Sequence, residues 1–319
     1  KKKLTGGIYA VVCPNSKYFE FIVADEDVIM ETDINDFNGK MKVVKSENNK
    51  VFYNYIMFLG SMKNKAMSLQ GENNEKKRNA LDLEVKNYQK NNITNNKNLL
   101  AAKVLAMSID PDIPKEIKEN DSLKYRYYLN HYWDNIDVTD NRIVHTPVYH
   151  KKLDFFFKNM IPQIPDTICH YAHKVIDKMD PKSELFKYTV HHLTYKYETS
   201  NIMGMDKVFV YFADSYYLNG KAPWADKEWL KKVEDRVREI KPNLIGNKAH
   251  EIRLLNPDDE FISMHMINAE YTILFFYEPG CGHCKKATPK MKQIADEFWE
   301  KGVEVLGIYT QFKKEEWVK

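Results

Sequence analysis

The feature that most constrains this fold is a run of seven apolar, β-prone residues from Tyr271 to Tyr277. The run contains no glycine or proline, which is typical of a strand covered on both faces. A second apolar run, Val303 to Tyr309, predicts another strand. Between the two runs, Gly302 is placed to end an amphipathic helix whose apolar residues recur at three- and four-residue steps: Met291, Ile294, Ala295 and Phe298. This order predicts two parallel strands joined by a right-handed crossover.

The turn between the first strand and the helix carries Cys281, His283 and Cys284. A thiol at a helix N-terminus faces unpaired backbone N–H groups and the positive end of the helix dipole, which both favour the thiolate. Cys281 has this position, so it is the candidate nucleophile. Cys284 lies one helical turn further and is predicted to be more buried, which suits a resolving thiol. A charged His283 would lower the pKa of a neighbouring thiol and favour an oxidising pair.

The segment YEPGCGHCK, residues 277–285, resembles the active-site segment of thioredoxin-fold proteins. Its Gly-His pair between the cysteines resembles protein disulfide isomerases, and Pro289 matches the proline that kinks the first helix in that superfamily. The resemblance implies a thiol–disulfide oxidoreductase whose redox-active disulfide, Cys281–Cys284, needs no further cofactor. The residues implied to tune this pair are His283, Pro279 and Glu278.

Some positions depart from the family's pattern. Phe275 stands where many members bury a carboxylate that relays the proton of the second cysteine, and Gly280 stands where a tryptophan is common. The proton of Cys284 would then pass to water or to Glu278. The sequence stops at Lys319, so we expect only the N-terminal part of a thioredoxin fold, without the cis-proline loop and the last strands.

Other interpretations of the CxxC pair stay open. The pair could be half of a zinc site, although no second CxxC or HxxxH follows it, or a structural disulfide, or a relic on an inactive thioredoxin-like domain. His170 and His173 have metal-ligand spacing with Asp177, but solvated surface histidines are commoner. The other two cysteines, Cys13 and Cys169, are predicted to be core or surface thiols.

Composition excludes some classes of function. The 48 basic and 45 acidic residues give a net charge of only +3, so the chain has no electrostatic footprint for nucleic acid. No apolar run approaches the roughly 20 residues of a membrane span. The N-terminus lacks an initiator methionine and a signal-type segment, so we expect the chain to begin after processing or within a longer protein.

Residues 1–70 predict a β-rich domain, an antiparallel meander followed by a helix with Ser46 as N-cap. Its short alternating segments are Ile8–Val12, Tyr18–Val23, Val28–Thr32 and Lys40–Val44. Residues 71–242 predict an all-α bundle, because amphipathic periods recur throughout. Two of its helices have clear start signals, at Ser183 and at Asp226. The aromatic group His131, Tyr132 and Trp133 is predicted to pack between helices of this bundle.

These two parts resemble the β-domain and the uncharacterised helical domain of Bacteroidetes thioredoxin-like proteins. The resemblance rests on Gly7-Ile8-Tyr9, Ser46-Glu47-Asn48, residues 131–135 and residues 202–206. A hairpin predicted over residues 251–264 resembles the TlpA-type branch, whose members face the bacterial periplasm.

The sequence as a whole predicts a multidomain α+β protein: a β-rich domain at 1–70, a helical bundle at 71–242 and a partial thioredoxin-like α/β domain at 243–319. The predicted function is thiol–disulfide oxidoreduction on protein disulfides or dithiols, with a membrane-linked redox partner and no nucleic acid. The predicted location is the periplasm or cell envelope of a bacterium, and a lipid anchor upstream of the sequence stays open. The alternative is a non-catalytic cell-envelope binding or assembly module.

Overall fold

The computed structural model describes residues 3–69, 74–311, 313 and 315. The chain forms two compact units, one extending to Leu244 and one beginning at Ile245. The predicted combination of antiparallel N-terminal strands, a central helical bundle and a C-terminal α/β part is confirmed. The predicted boundary between residues 70 and 71 lies outside the described residues, and the division into three domains stays a prediction.

Four strands open the first unit and form two separate antiparallel pairs, β1 with β2 and β3 with β4. Their bounds are β1 Gly7–Val12, β2 Tyr18–Val23, β3 Ile29–Glu31 and β4 Lys42–Lys45. The prediction of one continuous meander is therefore wrong. The reason is that a side chain occupies the free edge of β2: the amide of Asn49 donates to the Ile22 carbonyl at 2.7 Å and accepts from the Ile22 N–H at 2.8 Å.

The described part of the first unit contains nine α-helices, and π turns extend two of them at residues 156–160 and 213–217. Their bounds are α1 Glu47–Met67, α2 Glu75–Asn95, α3 Leu100–Met107, α4 Asp121–His131, α5 Pro147–Phe155, α6 Pro165–Ile176, α7 Glu184–Glu198, α8 Asp206–Phe212 and α9 Lys227–Ile240. The predicted start signals are confirmed. Ser46, Ser183 and Asp226 each accept a hydrogen bond, at 2.7–3.0 Å, from the backbone N–H three residues further on.

A carboxylate from the loop before β3 binds the N-terminus of α1. Glu26 accepts hydrogen bonds from the Ser46 hydroxyl at 2.7 Å and from the backbone N–H groups of Glu47 at 2.9 Å and Asn48 at 3.0 Å. Burial raises the pKa of Glu26, but these hydrogen bonds outweigh burial and lower the pKa overall. Negative charge at this end is favourable, because it meets unpaired N–H groups and the positive end of the helix dipole.

A second carboxylate, Asp140, joins α3 to the turn before α5. It accepts hydrogen bonds from Arg142 Nε at 2.9 Å, Arg142 Nη2 at 2.7 Å and Lys103 Nζ at 2.7 Å, and its side chain is only 8% exposed. Burial raises the pKa of Asp140, yet the hydrogen bonds and charges of Arg142 and Lys103 prevail and hold it well below its usual range. The carboxylate is therefore ionised in the folded protein.

The core of the first unit is built from aromatic side chains of the bundle. Those that are almost completely buried include Tyr149, Phe156, Phe157, Phe209 and Phe212. Ile22 of β2 belongs to the same cluster, so the strands and the bundle share one core. Tyr132 is also buried, with its ring 5.2 Å from that of Phe156 and 5.5 Å from that of Trp133, which confirms the predicted packing for Tyr132 and Trp133. His131 differs, because it is half-buried and its Nδ1 lies 2.6 Å from Asp134 Oδ2.

The second unit contains the predicted hairpin and the predicted strand–helix–strand. Its elements are β5 Arg253–Leu255, β6 Phe261–Ser263, β7 Tyr271–Tyr277, α10 Gly282–Phe298 and β8 Val303–Tyr309. The hairpin β5–β6 is antiparallel, and β7 pairs with β8 in parallel. Gly302 ends the helical segment with φ of 76°, in the left-handed region that favours glycine, as predicted.

The prediction that β7 is covered on both faces is wrong. Tyr271 is 62% exposed and Phe276 is 55% exposed, whereas the neighbours of Phe276 in the strand are half-buried. Within the described residues the sheet has two strands, and no residue of β7 is fully buried on either face. An apolar run indicates a strand but does not reveal how many layers surround it.

Candidate active site

Cys281 is the N-cap residue of α10, in the turn that follows β7. Its backbone N–H donates to the Glu278 carbonyl at 3.1 Å, and its own carbonyl accepts from the Lys285 N–H at 3.0 Å. These bonds close the turn and begin the helix, so the Cys281 thiol lies at the helix N-terminus that the sequence predicts. A side chain at position 282 would meet no other atom within 4 Å, so the residue after Cys281 faces open space.

Thr310, which sequence reasoning missed, holds the other side of the turn. Its backbone N–H and its hydroxyl both donate to the Tyr277 carbonyl, at 3.1 and 3.3 Å. They fix the end of β7 immediately before the cysteine turn. A signal for this contact exists in the sequence, because Thr310 follows β8 directly and the carboxyl ends of parallel strands meet at one edge of a sheet.

The surroundings of Cys281 favour its ionised form. Its pKa is lowered, chiefly by the nearby backbone N–H of Cys284, then by the Cys284 thiol and the backbone N–H of His283. Partial burial and the negative charge of Glu278 act in the opposite direction but are smaller. Donors that point at a sulfur stabilise the thiolate more than the thiol. The turn therefore favours ionisation of the Cys281 thiol.

Cys284 lies in the first turn of α10, and both cysteines are free thiols. The two have the same intermediate burial, so the greater burial expected of Cys284 is not seen. The assignment of Cys281 as nucleophile and Cys284 as resolver stays a prediction.

The three predicted tuning residues surround this turn. His283 and Glu278 are exposed, and Pro279 is half-buried between β7 and the helix. Their tuning roles stay predictions. Pro289 lies inside α10, at the predicted place of the kink. Phe275, which occupies the position of the family's buried carboxylate, is half-buried and stacks at 5.8 Å on the Tyr277 ring.

The remaining predicted candidates lie away from this turn in sequence. His173 Nε2 is 2.9 Å from Asp177 Oδ2 on the outside of α6. Across the described residues no cluster of three or more histidines, cysteines and carboxylates is arranged to hold a metal ion. Cys13 and Cys169 are free and half-buried, and burial raises the pKa of Cys169 to about 11, the reverse of the shift at Cys281.

No helix within the described ranges combines the length and apolarity needed to cross a membrane.

Comparisons with known proteins identify both units. The model of a domain of unknown function, DUF5106, matches residues 70–243, and the model of the AhpC/TSA family matches residues 245–319. A solved structure of a thioredoxin-like protein from Bacteroides caccae ATCC 43185 is 23% identical, over 66% of this chain and 76% of that chain, with a TM-score of 0.48. No curated protein matches.

The predicted thioredoxin-like nature of the C-terminal part is confirmed, since the AhpC/TSA match begins where the second compact unit begins. The match to the helical domain extends over more than half of the chain and contains the bundle from α2 to α9. This chain therefore belongs to the DUF5106 family and carries an AhpC/TSA thioredoxin-like domain after its helical domain.

Proposed function

We propose that this protein is a thiol–disulfide oxidoreductase that exchanges disulfides with protein substrates through Cys281 and Cys284. The observation that carries the proposal is the position of Cys281 as N-cap of α10, where the backbone N–H groups of the first turn, that of Cys284 above all, lower the pKa of its thiol. An AhpC/TSA thioredoxin-like domain around this turn supports the same chemistry.

The reduction of a substrate proceeds in two exchanges. The Cys281 thiolate attacks one sulfur of the substrate disulfide, a mixed disulfide forms, and the other substrate sulfur leaves as a thiolate that takes a proton from water. Cys284, after losing its proton, then attacks the Cys281 sulfur and releases the second substrate thiol. The substrate gains two electrons, and the enzyme is left with the Cys281–Cys284 disulfide, which an external dithiol must reduce. In the oxidising direction every step is reversed.

The proposal includes the setting of this chemistry. We place the protein among TlpA-type oxidoreductases of the Bacteroidetes, in the periplasm or cell envelope, with a membrane-linked partner that restores the pair. The hairpin β5–β6 ahead of β7 supports the TlpA type. Fractionation of the native organism tests the location, and recovery of the protein only from the cytosol would exclude it.

Insulin reduction by the full-length protein, with a thiol reductant in excess, tests the activity. We expect Cys281→Ser to abolish turnover. Cys13→Ser is the matched control, because Cys13 is another free, half-buried cysteine but does not begin a long helix, and it should retain full turnover. Equal turnover in the wild type and Cys281→Ser would favour the non-catalytic binding or assembly module instead.

A further inference from the structure

A cleft with a volume of about 540 Å³ lies in the first unit, between the residues that follow α3 and one side of α5. The cleft is shallow and open to solvent, and its volume is of the size of small-molecule sites, roughly 300–1,000 Å³. Met107 and Asp110 form one wall, and residues 148–159 of α5 and the π turn form the other. The cleft belongs to the helical domain and contains no residue of the cysteine turn.

Lys152 lines this cleft and is unusual for a lysine. It is only 8% exposed, whereas lysines are almost never buried unless a carboxylate pairs with them. Its ammonium lies 4.2 Å from the centroid of the buried Tyr132 ring, and no carboxylate among the described residues forms an ion pair with it. Burial lowers the pKa of Lys152, which Asp110 partly offsets at a distance.

Of the two carboxylates that line the cleft, Asp154 already has a partner, because its Oδ1 is 2.5 Å from Lys196 Nζ. Asp110 is the other, and it acts on the pKa of Lys152 only at a distance. Two more lysines, Lys151 and Lys158, line the cleft and are exposed. The cleft therefore holds an excess of positive charge around one desolvated ammonium, and a cation would be repelled there.

Apolar side chains complete the lining: Met107, Val148 and Phe155. Most of the other lining residues are polar or charged, so the cleft sets a small apolar area beside its positive charge. This combination suits a small molecule that has one charged end and an apolar body. An ammonium already removed from water gains more from an anionic partner than an exposed one does, since the local dielectric is low and no further desolvation of the lysine is needed.

We propose that this cleft binds a small organic anion whose carboxylate pairs with Lys152 and whose apolar body contacts Met107, Val148 and Phe155. The inference is independent of the proposed oxidoreductase function, because it uses only residues of the helical domain.

Thermal unfolding of the full chain with benzoate as probe tests the proposal, with chloride used to keep ionic strength constant. At about ten times its Kd, benzoate should raise the melting temperature of the wild type by about 3–6 °C. Lys152→Met keeps the aliphatic stem, so it should fold with an unchanged or higher melting temperature and lose the benzoate shift. Lys151→Met is the matched control on the same helix and should retain the shift.

A second measurement uses only the wild type and holds even if a variant fails to fold. Lysines are acetylated with an amine reagent, and the modified peptides are quantified by mass spectrometry. Benzoate should slow modification of Lys152 about tenfold or more and leave Lys151 unchanged. Equal benzoate shifts in the wild type and Lys152→Met would overturn the proposal. So would the absence of protection at Lys152, or stabilisation by inorganic phosphate without stabilisation by benzoate.

Discussion

Cys281 differs from the other cysteines through the donors that surround its sulfur. The backbone of Cys284, the Cys284 thiol and the backbone of His283 all lower its pKa. We expect Cys284→Ala to raise the pKa of Cys281, since it removes one donor to the thiolate. Alkylation of Cys281 by iodoacetamide at pH 7 should therefore become about two- to fivefold slower. Rates for each cysteine can be read by mass spectrometry.

The control is Cys284→Ser, which keeps a donor at the same position and should slow Cys281 alkylation less than Cys284→Ala does. Cys169 gives an internal reference in every sample, because its pKa is raised to about 11 and its alkylation should be slowest at neutral pH. Faster alkylation of Cys169 than of Cys281 in the wild type would contradict a lowered pKa at Cys281.

A second prediction at the scale of one residue concerns the loss of the Asp140 carboxylate. Asp140→Asn leaves the charges of Arg142 and Lys103 without their buried partner, so the free energy of unfolding of the first unit should fall by about 2–4 kcal/mol. Asp137→Asn is the control, because Asp137 pairs with the same lysine at 2.8 Å but is 38% exposed. Its loss should cost about 1 kcal/mol or less. Urea unfolding measures both.

The stabilisation that Asp140 provides depends on pH, and the direction of this dependence follows from its lowered pKa. The folded-state pKa of Asp140 is below the unfolded value of about 3.9, so its stabilisation is complete above about pH 4 and is lost as pH falls through the folded pKa. The difference in unfolding free energy between the wild type and Asp140→Asn should be constant from pH 7 to about pH 5 and shrink below about pH 4. A difference that shrank near pH 6 would exclude Asp140 as its source.

Single residues also mark the limit of sequence reasoning. The CxxC turn at a helix N-terminus was predictable, because the apolar strand, the cysteines and the helix period are adjacent in the chain. Asn49 and Lys152 were not predicted, since a buried amide and a buried ammonium look like ordinary polar residues. The sequence did contain one weak indication that Lys152 is buried, because Lys152 lies three residues from Tyr149 on the apolar side of α5.

At the scale of elements, the start of α1 combines a cap with backbone strain. Ser46 has φ of 134°, a region that side chains rarely adopt, and its hydroxyl bonds both Glu26 and the Asn49 N–H. Ser46→Ala loses the bonds and keeps the strain, so we expect a loss of about 2–3 kcal/mol. Ser46→Gly loses the same bonds but relieves the strain, and should be about 1 kcal/mol more stable than Ser46→Ala.

The same two substitutions at Ser183 serve as the comparison, because this cap has an ordinary φ of −77°. The advantage of glycine over alanine should be smaller there. Chemical denaturation of the four variants measures these differences, and an equal advantage at both caps would show that Ser46 is not strained.

Helices were predicted more completely than sheets. The physical reason is that a helix is determined by residues close together in the chain, whereas a sheet is not. Caps and apolar periods act within a few residues, so the bounds of α1, α7 and α9 follow from local sequence. Strand pairing depends on groups far apart in the chain. The pairing of β2 could not be inferred, because an amide from α1 takes the place of a neighbouring strand.

At the scale of the whole molecule, the two units differ in the size of their cores. The first unit buries a continuous cluster of aromatic and aliphatic side chains, whereas the apolar residues buried in the described part of the second unit are Met264 and Ile308. Opening of the second unit should therefore cost less free energy. We expect hydrogen exchange of backbone amides to be slowest in α7 and α8 and markedly faster in β7 and β8.

Mass spectrometry of peptides after deuterium labelling measures this exchange at constant pH and temperature. The amides of α2, a helix with no buried residue, provide a reference for weak protection within the first unit. Protection of β7 and β8 equal to that of α7 would mean that burial in the described residues does not govern local stability here.

The contact between Asn49 and Ile22 has a consequence for association between molecules. An uncovered strand invites a second chain to add its own backbone in register, the first step toward domain-swapped or fibrillar assemblies. With the N–H and the carbonyl of Ile22, near the end of β2, already satisfied from within, an incoming peptide finds no complementary partner at this residue. Asn49 should therefore hinder association of molecules through the exposed edge of the β1–β2 pair.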